Sequence, residues 1–171
     1  MAPNIYAMLE GLAEQLPSLI TLVKVFAYLA GLILIGGALY KMRTFGDHRM
    51  MMHGGGADVK SALGSVIFGT FLIWLPQTLE TVSGTFWGVG EPIGYEPGGV
   101  DLFDQGIAVC MEIIAFVGLV AFVRGLILMA KLGQQGQQPN MFGKAMSHIV
   151  GGILAYHLGA TIEVIRGTLS I

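Results

Sequence analysis

Charged residues are scarce in this sequence: Asp, Glu, Lys and Arg make up 12% of its 171 residues, whereas an ordinary soluble domain has about 25%. Hydrophobic residues make up 54%. Nine basic side chains against eleven acidic ones leave a net charge of -2. The sequence therefore has neither the basic excess of a nucleic-acid-binding domain nor an acidic tail. The composition favours a protein whose surface faces lipid.

Cysteine and catalytic motifs are also nearly absent. Cys110 is the single cysteine, so no disulfide can form within the chain. The run His53–Gly56 matches the oxyanion motif of some esterases, but the Gly-x-Ser-x-Gly elbow that accompanies that motif is missing. Gly88 and Gly90 begin like a dinucleotide-binding fingerprint, but its third glycine is missing. We therefore expect no enzyme, no catalytic residue, no metal and no cofactor. A bound phospholipid is the one ligand that we consider.

Four long apolar segments dominate the sequence. A helix needs about 20 apolar residues to cross the hydrocarbon core of a membrane. Segments of about this length lie at residues 18–40, 61–79, 106–132 and 145–162. The runs are continuous, and helices satisfy the backbone polar groups of such runs in lipid. The sequence predicts an all-α fold, a single domain of four transmembrane helices, with a short interfacial helix at Ile5–Leu16 before Pro17.

Basic residues are unevenly distributed between these segments. The second loop contains no Lys or Arg, and the basic residues of the first and third loops are Lys41, Arg43, Arg49, Lys60, Lys131 and Lys144. The positive-inside rule places the first and third loops in the cytoplasm. Residues 1–17 lack the basic start of a signal peptide, so we expect the first segment to be retained. These patterns predict a multi-pass protein of a bacterial inner (cytoplasmic) membrane with both termini in the periplasm.

Small residues recur at helical spacing in three of the segments. Gly151, Ala155 and Gly159 follow one another at intervals of four residues, a spacing that lets two helix backbones approach closely. Shorter sets of small residues occur in the first two segments, at Ala27, Gly31, Ser65 and Gly69. Such a face predicts either an interface between subunits or packing within one four-helix bundle, and the sequence leaves both open.

Some charged residues fall inside the apolar segments. With the predicted orientation, Lys24, Glu112 and Glu163 share the outer layer of the membrane, where they either pair as a buried polar layer or extend separately to the headgroups. Arg124 and Lys131 are seven residues apart and therefore share one helix face. The sequence predicts an inner-leaflet basic face there, directed towards a lumen or towards lipid phosphate.

Methionine and histidine cluster after the first segment. His48, Met50, Met51, Met52 and His53 carry the soft ligands that suit copper(I), so a small ion or copper transporter is one hypothesis. The alternative is a polarizable contact surface for protein partners. His148 and His157 are nine residues apart, on opposite sides of one helix, and cannot chelate one metal together.

The run at residues 40–52, Tyr-Lys-Met-Arg-Thr-Phe-Gly-Asp-His-Arg-Met-Met-Met, follows a Gly-rich segment. With Ile73–Pro76, Ala121–Gly125 and Thr161–Glu163 in the same order, it resembles the IcmC/DotE/TraQ family. These are inner-membrane proteins of type IVB secretion and IncI-type conjugation systems. The chain departs from the family pattern at His53–Gly56, where small hydroxyl residues are expected, and in a short second loop.

The resemblance implies a structural subunit that helps to translocate protein or DNA–protein substrates, as an oligomeric channel or a pilus subunit that could leave the cell. The expected partners are other copies of the chain, other type IV secretion components of the inner membrane, lipid, and a transported nucleic acid or effector protein. An accessory membrane protein without self-assembly is the main alternative. The residues expected to form a cytoplasmic partner loop are Tyr40, Lys41, Arg43, Phe45, Gly46, Arg49 and Met51.

Overall fold

The computed structural model of the chain describes residues 5–48, 56–88, 102–132 and 140–169. In these ranges every regular element is an α-helix, which confirms the predicted all-α class. The six helices are α1 (Ile5–His48), α2 (Gly56–Ile73), α3 (Leu75–Trp87), α4 (Leu102–Ala130), α5 (Met141–Tyr156) and α6 (Leu158–Leu169).

Two helices are long and apolar enough to cross a membrane, one within α1 (Glu14–Arg43) and one within α4 (Gly106–Ala130). The other candidate spans are bent pairs: α2 turns into α3 by 88°, and α5 turns into α6 by 87°. The described chain therefore has two candidate spans, or up to four if each bent pair forms one span. The sequence did not predict these breaks inside residues 61–79 and 145–162.

Helix α1 is longer at both ends than the sequence predicts. Its 44 residues extend about 66 Å, more than twice the thickness of a hydrocarbon core. The predicted interfacial helix at Ile5–Leu16 is not a separate element, because α1 continues through Pro17. The hydroxyl of Thr21 donates to the Pro17 carbonyl at 2.9 Å. The predicted loop from Tyr40 is also wrong up to His48, since these residues are the last turns of α1.

Helices α1, α2 and α4 pack on one another, whereas α5 packs almost entirely on α4. The buried centre is apolar and comes mainly from α2, α3 and α4, with Leu72, Leu75, Leu119, Phe122 and Leu126 among its members. The helix arrangement is therefore open: α5 lies at its edge with one partner helix.

Successive spans are antiparallel. Gly31 of α1 lies against Gly69 and Ile73 of α2, Gly64 of α2 lies near Ala130 of α4, and Gly125 of α4 lies against Ile149 of α5. This order brings the predicted cytoplasmic bases to one end, which we call the basic end: Lys41, Arg43, Lys60, Lys131 and Lys144. The opposite end, where α2 and α5 turn into α3 and α6, is called the bent end.

The break between α2 and α3 has a local cause. Trp74 leaves the helical conformation with φ -100° and ψ 40°, and Pro76 follows at the start of α3, where a proline without an N–H is well tolerated. The Thr78 hydroxyl donates to the carbonyls of Phe71 and Trp74 at 3.2 and 2.9 Å, which satisfies groups at the break. Helix α3 ends at Gly88, whose φ of +71° suits glycine.

Candidate functional site

The closest helix crossing joins α4 and α5. A Cβ added to Gly152 would lie 2.6 Å from the backbone nitrogen of Phe122 and 2.7 Å from the Gly118 carbonyl oxygen. A Cβ on Gly125 would lie 2.9 Å from the backbone nitrogen of Ile149. Glycine at these positions lets the two backbones touch, which is how helices associate where the hydrophobic effect is absent.

Of the predicted packing face Gly151, Ala155 and Gly159, for which the sequence left an interface between subunits and packing within the bundle open, Ala155 lies at this crossing. Gly151 is exposed with no atom within 4 Å of an added Cβ, and its neighbour Gly152 makes the contact. Ala155 contributes backbone atoms near Gly118. Gly159 lies beyond the bend, on α6, so the three residues do not share one straight helix face.

The small residues of the first two spans do meet. A Cβ on Gly31 would lie 2.7 Å from the Gly69 carbonyl oxygen, and Ala27 is fully buried. Ser65 is buried in α2 and donates to the carbonyl of Ala130 in α4 at 3.0 Å. These contacts fix α1 and α4 on two sides of α2.

The side of α5 that faces away from α4 is unpartnered in the described chain. Gly143, Ser147, Val150 and Leu154 lie on it at intervals of three or four residues, and all four are exposed. Gly36 and Gly37, on the basic-end half of α1, are also exposed with nothing within 4 Å of an added Cβ. Two surfaces with small residues therefore remain open in the basic half of the molecule.

A buried polar junction lies at the bent end. His157, at the break between α5 and α6, is 1% exposed. Its ring stacks on Trp87 of α3 with centroids 5.0 Å apart and meets Tyr156 edge-on at 4.8 Å. Its Nδ1 lies 3.4 Å from the hydroxyl of buried Ser83. The sequence predicts a polar contact between helices at His157 but does not identify α3 as the partner, because 74 residues separate Ser83 from His157.

The proton positions at this junction follow from the hydrogen bonds. The Ser83 hydroxyl donates its one hydrogen to the Leu79 carbonyl at 2.6 Å. It can therefore only accept from His157, so a hydrogen bond between the two side chains requires the ring hydrogen on Nδ1. The Nε2 atom is buried without a hydrogen-bond partner. The arrangement is structural in character, since the ring lies among aromatic neighbours and its Nε2 has no hydrogen-bond partner among the described residues.

Of the predicted buried polar layer, the structure describes the side chains of Lys24 and Glu112. Lys24 is half-buried and Glu112 is exposed, and the described side chains include no ion pair between these two. Glu163 lies on α6, but its side chain is outside the described part of the structure. Pairing of these groups stays a prediction.

Arg124 and Lys131 are both exposed on α4. They lie on the side of α4 that faces neither α5 nor α2, since Gly125 contacts α5 and Ala130 contacts α2. The structure thus places the two bases together on one outward surface, while what they face in a membrane stays a prediction.

The predicted cytoplasmic partner residues divide into three sets. Tyr40, Lys41 and Arg43 are exposed on the last turns of α1. Phe45 and Gly46 belong to the same helix, but their side-chain environments are outside the described part. Arg49 and Met51, with the rest of the Met/His cluster after His48, lie outside the described residues altogether.

No group of three or more His, Cys, Asp or Glu side chains within the described ranges is placed to hold a metal ion. His148 and His157 are separated as predicted, because His148 bonds to the Lys144 carbonyl at 2.8 Å near the basic end and His157 lies at the bent end. The Met/His cluster of the copper hypothesis is untested, because residues 49–53 lie outside the described part of the chain.

No family model matches the chain, and no curated protein or solved structure is significantly similar to it. The fold and composition define its class: an all-helical protein with apolar helices long enough to span a membrane. A more specific functional assignment depends on the surfaces described above and on the sequence resemblance.

Proposed function

We propose that the chain is a structural subunit of a type IV, IVB-like secretion or conjugation system in a bacterial inner membrane. It self-assembles into a channel or pilus-type oligomer that helps to translocate protein or DNA–protein substrates. The resemblance of residues 40–52 and the later segments to the IcmC/DotE/TraQ family supports the system. The observation that supports self-assembly is the unpartnered outer face of α5, formed by Gly143, Ser147, Val150 and Leu154.

Small residues matter here because lipid removes the usual driving force. Apolar side chains gain little by leaving lipid for another apolar surface, so helix association depends on close packing. Gly143 and Ser147 permit such packing, and Val150 and Leu154, 48% and 43% exposed, supply contact area. The crossings at Gly31 and Gly152 already use this principle inside the chain.

The exposed surface at Gly36 and Gly37 of α1 is the partner that we assign to the outer face of α5. Gly36 and Gly37 lie on the basic-end half of α1, as Gly143 and Ser147 do on α5, so the two patches match in depth. Contact between two different surfaces of identical subunits repeats from copy to copy, and it produces a ring when the rotation closes and a filament when it does not. Both products fit a channel or pilus subunit.

The exposed end of α1 provides a separate surface for other components. Tyr40, Lys41 and Arg43 are exposed there, at the end that the positive-inside rule assigns to the cytoplasm. We assign this surface to contacts with cytoplasmic or inner-membrane partners of the machine, and the outer face of α5 to contacts between copies.

A transfer assay tests the function. A donor strain lacking the chain should lose substrate transfer and regain it with the wild-type chain. A double charge reversal, Lys41→Glu with Arg43→Glu, should lower transfer without lowering the amount of chain in the membrane. Lys60→Glu, an exposed base at the same end, is the matched control and should transfer normally. Normal transfer without the chain, with copper sensitivity in its place, would contradict the proposal.

A further inference from the structure

The groove between α4 and α5 carries a basic cluster that the proposed function does not use. Arg124 is exposed on α4, six residues inside the end of a window apolar enough to span a membrane. A guanidinium does not lose its proton in proteins, so its charge must be met by an anion or by water. In the described chain it forms no ion pair.

Helix α5 passes directly beside Arg124. The next residue, Gly125, contacts Ile149, and the residue before Ile149 is His148. At about 100° per residue, Arg124 lies about 130° round α4 from the side that contacts α5, and His148 lies about 70° round α5 from the side that contacts α4. The two rotations have the same sense. Because the helices are antiparallel, both side chains lie on one side of the groove, opposite α1 and α2.

The same side of the groove carries two more bases towards the basic end. Lys144 lies one turn before His148 on α5, and Lys131 lies two turns after Arg124 on α4; both are exposed. The His148 Nδ1 lies 2.8 Å from the Lys144 carbonyl oxygen, to which it can only donate, so Nε2 is the ring nitrogen left for another partner. Three cationic side chains and one imidazole therefore lie on one side of the α4–α5 pair, with Lys131 and Lys144 one to two turns nearer the basic end than Arg124 and His148.

Towards the bent end the same side of the groove narrows to small side chains. Gly151 is exposed with nothing within 4 Å of an added Cβ. Ala121 and Ala155, half-buried, lie beside it. A strip of one glycine and two alanines is apolar and offers no polar side chain. The groove thus combines an apolar track with a cationic end, the two chemistries of an anionic phospholipid.

We propose that this groove binds one anionic phospholipid, with its phosphate held by Arg124, Lys131 and Lys144 and an acyl chain beside Gly151. About 9 Å separates Arg124 from the end of α4 along the helix axis, a distance that a long basic side chain and a phosphate at the membrane surface bridge together. Basic pockets between spans are a known form of headgroup recognition. This site does not depend on self-assembly, because all its residues come from one chain.

Lipid binding to the purified, delipidated full chain in a neutral detergent tests the proposal, with native mass spectrometry as the readout. Phosphatidylglycerol should bind at one site, and phosphatidylcholine should bind more weakly. Glycerol 3-phosphate, which has the phosphate without the acyl chains, should not compete. Arg124→Gln should weaken phosphatidylglycerol binding roughly fivefold, the effect of one cationic contact, and Arg124→Lys should retain most of it. Arg166→Gln, an exposed base on α6, is the control and should bind as the wild type does.

A second variant examines the acyl track. Gly151→Leu should fill the groove and weaken binding of phosphatidylglycerol while leaving all the bases in place. Equal binding of the two lipids, displacement by glycerol 3-phosphate, or equal losses in Arg124→Gln and Arg166→Gln would overturn the proposal. These outcomes are independent of the proposed function, since a chain that binds no lipid here could still assemble and support transfer.

Discussion

The two bent spans turn through almost the same angle, 88° and 87°, but different interactions hold them. The α2–α3 break is local: Pro76 and Thr78 lie beside it, and α3 then buries Leu75, Leu79 and Ser83 against the bundle. The α5–α6 pair contains no proline. Its break at His157 is covered by Trp87, which comes from α3. The comparison indicates that the first bend has local signals in its own sequence and is held by the buried face of α3, whereas the second depends on contact with the first.

The partners of the two bent pairs differ as well. Helix α2 packs on both α1 and α4, whereas α5 packs almost entirely on α4. Helix α6 is exposed over most of its length. The α5–α6 pair therefore has the fewest packing partners in the described fold, so we expect the loss of one contact to affect it most.

The largest expected effect comes from Gly152→Leu. The new side chain would meet the backbone of Phe122 and Gly118, which cannot move aside, and α5 has no other helix to hold it. We expect a loss of about 3 kcal/mol in the free energy of unfolding, the upper end for overpacked sites, in unfolding titrations of the purified chain. Gly69→Leu should cost less, because the nearest atom to its added Cβ is the Ile35 side chain and α2 keeps a second partner.

Gly151→Leu is the matched control for that experiment. It changes the next residue along the same helix, where an added Cβ meets nothing within 4 Å, so the free energy of unfolding should stay within about 0.5 kcal/mol of the wild type. Equal losses at positions 151 and 152 would show that α5 does not present Gly152 to α4.

A smaller effect is expected at the His157 junction. His157→Ala removes a buried ring and its stack on Trp87, and should cost about 2 kcal/mol in the free energy of unfolding, the lower end for large-to-alanine changes. Hydrogen exchange should become faster in α6 but not in α3. His157→Phe keeps a ring against Trp87 and removes the unpartnered Nε2, so it should cost less than about 1 kcal/mol.

If His157→Phe were as damaging as His157→Ala, the contact with Ser83 would be what holds the junction. Ser83→Ala would then reproduce the loss. The 3.4 Å separation of Ser83 Oγ and His157 Nδ1 is long for a hydrogen bond, which is why we expect the ring stack to dominate.

The smallest effect is expected for Pro76→Ala, which examines the first bend. The buried face of α3 should keep the bend after the proline is removed. The free energy of unfolding should change by less than about 1 kcal/mol. Spin labels on the exposed residues Leu63 and Phe86, in a Cys110→Ala background, measure the angle directly. A continuous helix would separate these positions by about 35 Å, and both wild type and variant should give shorter distances. A distance near 35 Å in Pro76→Ala alone would make the proline the sole cause of the bend.

Composition and apolar runs predicted the all-α class and the positions of the apolar segments, because the hydrocarbon core constrains every residue of a span. They did not predict where the helices end. Apolarity stops near Tyr40, but nothing in Lys41–His48 breaks a helix, so α1 continues. Pro76 was a visible signal for the first bend. The second bend had none, since it depends on a tertiary contact between Trp87 and His157.

The candidate surfaces, like the fold, could be predicted only in part. Arg124 and Lys131 share a helix face because their spacing requires it, and the structure leaves both exposed. The sequence could not show that Lys144 and His148 lie on the same side as Arg124. The glycine crossing sets the register of α4 and α5, and that register is visible only in the structure. Spacing alone also could not choose between Gly151 and Gly152. Only the partner helix decides which of two adjacent glycines is buried.

The central claim is that the outer face of α5 joins one copy of the chain to the next. The native mass of the purified chain in mild detergent tests it most directly, with Ser147→Phe on that face and Val120→Phe, an exposed position of α4, as the control. We predict a large species of defined mass, imaged as a ring or filament, for the wild type and Val120→Phe, and a shift to monomers for Ser147→Phe. A wild-type chain that stays monomeric, or a Ser147→Phe variant that assembles normally, would contradict the account.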